Sequence, residues 1–271
     1  RGRCFVPNPG KDPVVSLRLG LIGDNIAASR SPRLHQLAGQ QSALEVTYDR
    51  LVPRELGEDF EPLLAALPAR GYRGTNVTYP YKERAARLVR IEDPLVRAIG
   101  AVNTVIFDDT GARGFNTDYS GFIAAYRQER GETPPGETLM IGTGGVGRAV
   151  AFGLIALGVV GLRLTDRDRA KAEALAGDLR AADPGVTVTV FDHAEDAAKG
   201  AQGLVNCTPL GMHGHPGTPL DARAMSGAQW AFDAVYTPVE TEFLTAAKAQ
   251  GLAVISGWEL FFYQGVHAWT L

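Results

Sequence analysis

Gly142, Gly144 and Gly147 set out G-x-G-x-x-G, with Gly145 as an extra glycine and Val146 between them. The motif sits within LMIGTGGVGRAVAFGLIALGVVGLRLTD (139–166), which reads as strand, turn, helix, second strand and acid. That order suits a dinucleotide. The first glycine permits a tight turn, the second lets pyrophosphate approach the backbone, and the third lets helix pack on strand. The helix N-terminus then offers free N–H groups and its positive pole to the phosphates. Asp166 is the acid at the end of the second strand. A carboxylate there accepts hydrogen bonds from the adenosine ribose hydroxyls and repels a 2′-phosphate, whereas Arg167 would attract one. With Asp168 adding a second negative charge, NAD is the expected cofactor and NADP the alternative. The competing reading of the D-R-D-R run is a solvated turn whose charges pair with one another.

Three further clusters lie before this unit. Ser29-Arg30-Ser31-Pro32 places two hydroxyls at the start of an expected helix. They suit a helix cap, or equally a carboxylate cradle at the positive pole. In NVTYPYK (76–82), Pro80 is expected to open a helix, which puts Lys82 in its first turn. The dipole disfavours a cation there and eases loss of its proton, a useful property for acid–base chemistry; the competing reading is a solvent-facing lysine beside Glu83. In GFNTDYSG (114–121), Asp118 either caps the next helix or presents a carboxylate between two domains. Asn103, in GAVNT, is polar within an apolar strand pattern and needs a partner in the protein or in a ligand.

These residues have to be positioned by a framework, and the pattern is strand–helix alternation throughout. Strands are expected at 17–23, 46–52, 72–79 and as a pair over 101–116 turned at Asp109-Thr110-Gly111. Helices are expected from Ser31 to about Gln41, over 53–67, from Pro80 to about Arg90, and from about Asp118 to Arg130. GETPPGET (131–138) is the most linker-like stretch. After the glycine turn, strands are expected near 161–165, 186–191, 203–207, 230–235 and 252–255. Phe261, Phe262 and Tyr263 read as the core of a last helix, with Gln264 the polar exception. The fold class is therefore α/β with mostly parallel sheets. The glycine unit begins after half of the chain, so an earlier domain needs a task other than holding the cofactor.

At 271 residues, 45% hydrophobic and 21% charged, the chain can fill two domains. A net charge of −3 with no basic stripe argues against nucleic acid, and no apolar run is long enough to span a membrane. Residues 1–16 read as a loose leader without a signal-peptide core. Two cysteines, Cys4 and Cys207, suggest no disulfide framework and favour a cytoplasmic setting. Cys207, His213 and His215 match no zinc spacing, so no metal is expected. His35 reads as packed or on a helix surface.

The motifs, in order, resemble the shikimate dehydrogenase family, and most closely its quinate/shikimate branch. They are SRSP with His35 after it, GTNVTYPYKE, GAVNT, GFNTD, the glycine turn, VNCTPLGM, DAVYTPVET and SGWELFFYQGVHAW, covering nearly everything from Gly20 to Trp269. The resemblance implies an α/β substrate domain and a Rossmann-type dinucleotide domain with a cleft between them. It implies domains at 1–117, with 257–271 returning to it, and at 118–256. By similarity, Lys82 and Asp118 form the catalytic pair. Ser29 and Ser31, helped by Tyr236, hold a substrate carboxylate, and Thr78, Asn103 and Gln264 hold ring hydroxyls. Gly142, Gly144, Gly145, Val146, Gly147, Asp166, Arg167, Thr208 and Gly257 would face the cofactor.

The implied reaction is reversible hydride transfer between NAD(P) and the C3 hydroxyl or ketone of shikimate or 3-dehydroshikimate, extending to quinate. The alternatives kept open are a quinate or aminoshikimate dehydrogenase of a catabolic or specialised pathway, or a non-catalytic NAD-binding regulator. The expected partner is that small molecule, with no nucleic acid or membrane, in a monomer or homodimer. The Asp166-Arg167-Asp168 run departs from the Asn-Arg-Thr run of NADP-dependent biosynthetic members. Relatives commonly continue past the position of Trp269 into a closing helix, which is expected to be shorter, cut or disordered here.

Overall fold

A computed structural model describes residues 16–271; the leader, Cys4 included, falls outside the described residues but for Ser16. The first half builds a five-stranded sheet from β1 (Ser16–Ile22), β2 (Glu45–Leu51), β3 (Gly74–Val77), β4 (Thr104–Asp108) and β5 (Gly111–Phe115). Its order is β2-β1-β3-β4-β5. The first three strands run parallel, with Ile22 opposite both Leu51 and Val77. The remaining two are antiparallel and hairpin-linked, as the Asp-Thr-Gly turn predicts.

Between these strands lie α1 (Ser31–Gln41), α2 (Pro53–Leu56), α3 (Phe60–Ala66), α4 (Lys82–Ala86) and α5 (Pro94–Ile99). Two expectations need correction. The helix expected over 53–67 is broken, because Gly57 adopts a left-handed φ of 66° and closes α2, and α3 restarts after Asp59. Pro80 does not open a helix: it follows a cis peptide bond, a turn closes from the Tyr81 amide to the Thr78 carbonyl, and α4 begins only at Lys82 and ends at Ala86. Phe60, Leu63, Leu67, Val77 and Val105 form the core on one face of this sheet.

The second half is a six-stranded, all-parallel sheet ordered β11-β10-β9-β6-β7-β8. Helix α6 (Thr117–Arg130) leads into β6 (Glu137–Ile141), so the linker-like stretch ends inside a strand. Helix α7 (Gly145–Ala156), β7 (Gly161–Thr165), α8 (Arg169–Ala182), β8 (Thr187–Val190) and α9 (Ala194–Ala198) follow. Then come β9 (Gly203–Asn206), β10 (Trp230–Asp233), α10 (Glu242–Ala249), β11 (Ala253–Ile255) and α11 (Gly257–Trp269). Strand order reverses between β6 and β9. In open α/β sheets a ligand lies across the carboxyl ends of the strands at such a reversal.

Helix α6 joins the halves. Its Phe122 and Tyr126 are fully buried against the core of the second sheet, together with Ile99 and Ala101 from the first half. Gly153 admits Phe122 at close range, since an added Cβ would come 2.7 Å from its ring. Helix α11 crosses α6 at Gly121, where a Cβ would meet the Gln264 amide at 2.8 Å. It reaches α1 at Gly265, against Leu34. The helical period buries Gly257, Leu260, Phe261, Gly265 and Ala268 and turns Phe262 outward at 47% exposure; Phe262 is therefore surface, not core, and Tyr263 is only partly buried. Among the described residues, no helix is long and apolar enough to cross a membrane.

Candidate active site

Parallel neighbours β1 and β3 deliver the first group of side chains from their carboxyl ends. The chain leaving β1 carries Ser29 and Ser31. Neither hydroxyl caps α1, whose N-cap is Arg30 without a side-chain bond. Instead the Ser31 amide donates to Ser29 Oγ (3.3 Å), and Ser29 Oγ lies 3.2 Å from Ser31 Oγ. Arg50 donates to the Ser29 carbonyl (2.8 Å), holding the turn. Tyr236 arrives from the second half and stacks on Phe261 at 4.8 Å. Burial pushes its phenol above the usual range, with Ser29 and Arg30 acting the other way. The two serines and Tyr236 therefore converge. His35 is buried in α1, with Nδ1 3.0 Å from the Ser31 carbonyl, and packs on Tyr48.

The chain leaving β3 carries Thr78 and Lys82. Thr78 is tied to β1 by its amide, which donates to the Ile22 carbonyl (2.9 Å). Lys82 is the first residue of α4, and its Nζ donates to Asp118 Oδ2 at 2.7 Å. The side chains are 15% and 7% exposed, so the pair is largely withdrawn from water. Asp118 does not cap α6; Asn116 does, accepting from the Tyr119 amide. The Asp118 carboxylate is thus left for Lys82, which meets that partner and is not a solvent-facing lysine.

Asn103 lies just before β4 and is buried. Its Oδ1 accepts from the Thr117 amide (2.8 Å) and the Thr104 hydroxyl (3.1 Å). Its Nδ2 donates to Thr117 Oγ1 (2.9 Å) and reaches Gln264 Oε1 (3.4 Å). The partner that its burial requires is therefore in the protein. Asn76, not singled out in the sequence, extends the network: it donates to Thr104 Oγ1 (3.1 Å) and accepts from Tyr48 (2.8 Å). Its strand, GTNV, mixes polar and apolar residues, so no local signal marked it.

The glycine turn faces this group. Gly142 sits at φ 95°, which other residues rarely adopt. A Cβ on Gly147 would lie 2.2 Å from the Gly142 carbonyl oxygen, so the third glycine is required by the close turn. A Cβ on Gly144 would meet no protein atom within 4 Å; it would fill the open cradle at the head of α7. Val146 is half-buried in the first turn of α7. At the end of β7, Asp166 Oδ2 accepts from the Thr143 amide (2.7 Å) and hydroxyl (2.8 Å), and Oδ1 accepts from the Asp168 amide (2.9 Å). Partial burial opposes its charge, but those three donors and the Lys171 ammonium outweigh it and hold the carboxyl below its usual range. Asp166 is therefore bonded to the glycine turn and not to its own arginine. Arg167 is exposed and makes no ion pair among the described residues.

Asp233, at the end of β10, was missed in the sequence although it begins a quoted motif. It is fully buried. Its Oδ1 accepts from Asn206 Nδ2 (3.0 Å) and the Val235 amide (2.9 Å), and its Oδ2 accepts from the Thr241 hydroxyl (2.6 Å). Burial pushes the carboxyl up to about 6, against those three donors. Asn206, at the end of β9, receives the Thr208 amide (2.9 Å) and hydroxyl (2.7 Å). Gly257 sits on the backbone after Asp233, where a Cβ would come 2.5 Å from the Ala234 carbonyl oxygen. Cys207 is buried, and burial drives its thiol far up. His213 and His215 are exposed.

A Rossmann-type sheet with a glycine cradle, facing a lysine–carboxylate pair and a cluster of hydroxyls on a second α/β unit, defines a two-domain NAD(P)-linked oxidoreductase. The glycine turn and Asp166 fit such a cofactor, since the cradle is open where a side chain would close it.

Residues 21–105 match the shikimate dehydrogenase substrate binding domain. The chain is 37% identical over 262 residues to a quinate/shikimate dehydrogenase (NAD(+)) of Corynebacterium glutamicum, covering 94% of this chain and 93% of that one. It is 36% identical over 261 residues to a shikimate dehydrogenase (NADP(+)) of an Arthrobacter species, covering 94% and 89%. The structure of quinate dehydrogenase from Corynebacterium glutamicum in complex with NAD superposes with a TM-score of 0.85 at 36% identity, covering 94% and 92%. The chain belongs to the shikimate dehydrogenase family.

Proposed function

We propose that this protein interconverts a ring alcohol and its ketone, shikimate and 3-dehydroshikimate, with NAD as the preferred cofactor and quinate as a further substrate. The observation that carries the reading is the 2.7 Å Lys82–Asp118 pair, largely buried beside the glycine turn. NAD is favoured over NADP because Asp166 holds a negative charge where a 2′-phosphate would sit. The name of the Corynebacterium relative, which carries both substrates and NAD(+), supports the same choice.

In this reading Ser29 and Ser31, with Tyr236, hold the substrate carboxylate through hydroxyl donors. Thr78, Asn103 and Gln264 orient the ring hydroxyls. Gly142, Gly144, Gly145, Val146 and Gly147 receive the phosphates, Asp166 and Arg167 face the adenosine ribose, and Thr208 and Gly257 flank the nicotinamide. Of the expected 1–117 substrate domain the described part is 16–117; 118–256 form the cofactor domain, and 257–271 return to the first.

When bound, the nicotinamide supplies the acceptor or donor of the hydride. Lys82 does the proton work. During alcohol oxidation Nζ as the neutral amine takes the hydroxyl proton as the C–H hydride departs and becomes the ammonium, which during ketone reduction returns that proton to the carbonyl oxygen. Asp118 fixes the ammonium in place through a charge-assisted bond. The buried Asn103–Thr117–Gln264 network ties α6 and α11 to the same floor, so substrate hydroxyls meet donors and acceptors that are already oriented.

The test is a rate matrix of NAD and NADP against shikimate and quinate. The expected result is turnover of shikimate with NAD, weaker turnover of quinate, and poor use of NADP. No turnover in any combination would favour a non-catalytic regulator, and a strong NADP preference would defeat the role given to Asp166.

A further inference from the structure

Asp233 carries a charge that the reaction as described does not use. It is fully buried, has no ion-pair partner among the described residues, and is held by three donors. An isolated buried carboxylate is costly, and the same packing could be met by a neutral side chain. The position supplies a reason for the charge. Asp233 ends β10, and its partner Asn206 ends β9; both strands lie beyond the reversal in strand order, on the side opposite Asp166. The adenosine half of a dinucleotide lies over β6 and β7, so the carboxyl ends of β9 and β10 underlie the nicotinamide half. Asn206, which donates to Asp233 at 3.0 Å, is followed by Cys207, whose carbonyl group would lie 2.8 Å from a Cβ built on Gly142, so the Asp233 cluster sits directly against the glycine turn. Lys82 and Asp118 are paired at 2.7 Å, whereas Asp233 has no cationic partner among the described residues.

We infer that Asp233 selects the oxidation state of the bound cofactor, its buried carboxylate favouring the positively charged nicotinamide ring of NAD+ over the neutral ring of NADH. The inference rests on the reading of this site as a dinucleotide site. Charge interactions act over several ångströms in a low-dielectric interior, so direct contact with the ring is not required. Isosteric replacement is possible. In Asp233→Asn the side-chain oxygen can keep the Asn206 and Val235 donors, and its amide can donate to a rotated Thr241 hydroxyl.

The experiment measures affinities for NAD+, NADH and ADP-ribose, which lacks the nicotinamide, in mildly alkaline buffer. Wild type is expected to bind NAD+ at least as tightly as NADH. In Asp233→Asn the preference for NAD+ over NADH should fall by roughly three- to tenfold, with ADP-ribose affinity unchanged. Thr241→Val keeps the charge while removing one of its ties, and should keep the wild-type preference. Equal losses for all three ligands in Asp233→Asn, or a Thr241→Val variant that mimics it, would make Asp233 a packing residue and overturn the inference. An unchanged ratio in Asp233→Asn would do the same. Should Asp233→Asn not fold, tighter wild-type binding of NADH than of NAD+ is enough to overturn it. Failure of wild type to bind any of the three ligands refutes instead the reading of the site.

Discussion

Gly145, the first residue of α7, lies against the side chain of Lys82, the first residue of α4: a Cβ built on it would come 3.1 Å from Lys82 Cβ and 3.4 Å from Cδ. The head of the glycine helix therefore forms one wall of the lysine's pocket. Ala at this position meets no forbidden backbone angle, but its methyl would push the lysine stem by a few tenths of an ångström. Gly145→Ala is expected to lower kcat about tenfold, through misplacement of Nζ. Cofactor affinity, followed by fluorescence titration, should change much less than kcat.

Removing the ammonium itself has a larger effect. Lys82→Ala is expected to cut turnover about 10³-fold or more, with NAD binding nearly unchanged, because the lysine's task is proton transfer and not cofactor binding. It also leaves the Asp118 carboxylate, 7% exposed, without its cation. Stability should fall by about 3 kcal/mol, so the assay has to be run well below the variant's unfolding temperature. Near-normal turnover would remove Lys82 from the mechanism.

Much of this arrangement was readable from residue types. The strand–turn–helix–strand–acid pattern at 139–166 is local, and its elements form where the pattern puts them. The hairpin at Asp109-Thr110-Gly111 is local as well. Lys82 and Asp118 are 36 residues apart, and the resemblance, not local pattern, named them as a pair; the structure brings them to 2.7 Å. What escaped depends on contacts between distant segments. The 53–67 helix failed because one left-handed glycine outweighs a continuous apolar face. The orientation of Phe262 follows from which face of α11 meets α6 and α1, and hydrophobicity alone does not choose between neighbouring aromatics. Asp233 was hidden because a strand-ending acid reads as surface until its three donors are seen.

The glycine turn separates ligand space from protein space. A Cβ on Gly144 meets no protein atom within 4 Å, whereas one on Gly147 would lie 2.2 Å from a carbonyl oxygen. Gly144→Ala should therefore melt like wild type and bind NAD at least tenfold more weakly, because only pyrophosphate feels the methyl. Gly147→Ala should lose about 2 kcal/mol of stability, since the turn must open. Thermal melts and NAD titration of both variants check the contrast. A stable Gly147→Ala with intact binding would mean that the turn has more room than its geometry allows.

Asp166 joins cofactor choice to the shape of the turn. Its carboxylate accepts the Thr143 amide and hydroxyl through Oδ2 and the Asp168 amide through Oδ1, so an amide in its place removes a charge and leaves one of the two oxygen positions without an acceptor. Asp166→Asn is expected to lower kcat/KM with NAD about tenfold and to raise the relative use of NADP, because repulsion of the 2′-phosphate is gone while Arg167 remains. The ratio of the two specificity constants is the measurement. A variant that keeps the wild-type ratio would place cofactor discrimination elsewhere.

Asp233 should also be visible in the dependence of stability on pH. Burial raises its carboxyl from 3.8 to about 6 in the folded protein. The folded state therefore binds this proton more tightly than the unfolded chain does. The sign follows from linkage: the group's favourable contribution is complete below about pH 4 and disappears as pH rises through about 6. A shift of about 2 units corresponds to roughly 3 kcal/mol that ionisation withdraws at neutral pH. Other carboxyls with lowered values, Asp166 among them, act in the opposite direction, so the raw profile of wild type mixes both signs. The difference between wild type and Asp233→Asn isolates the one group, since the remaining carboxyls are common to both. Denaturant unfolding between about pH 4 and 8 should show Asp233→Asn gaining on wild type as pH rises, with the change centred between about 4 and 6 and flat above it. A difference that does not vary with pH would mean that Asp233 titrates alike in both states and that its burial carries no electrostatic cost.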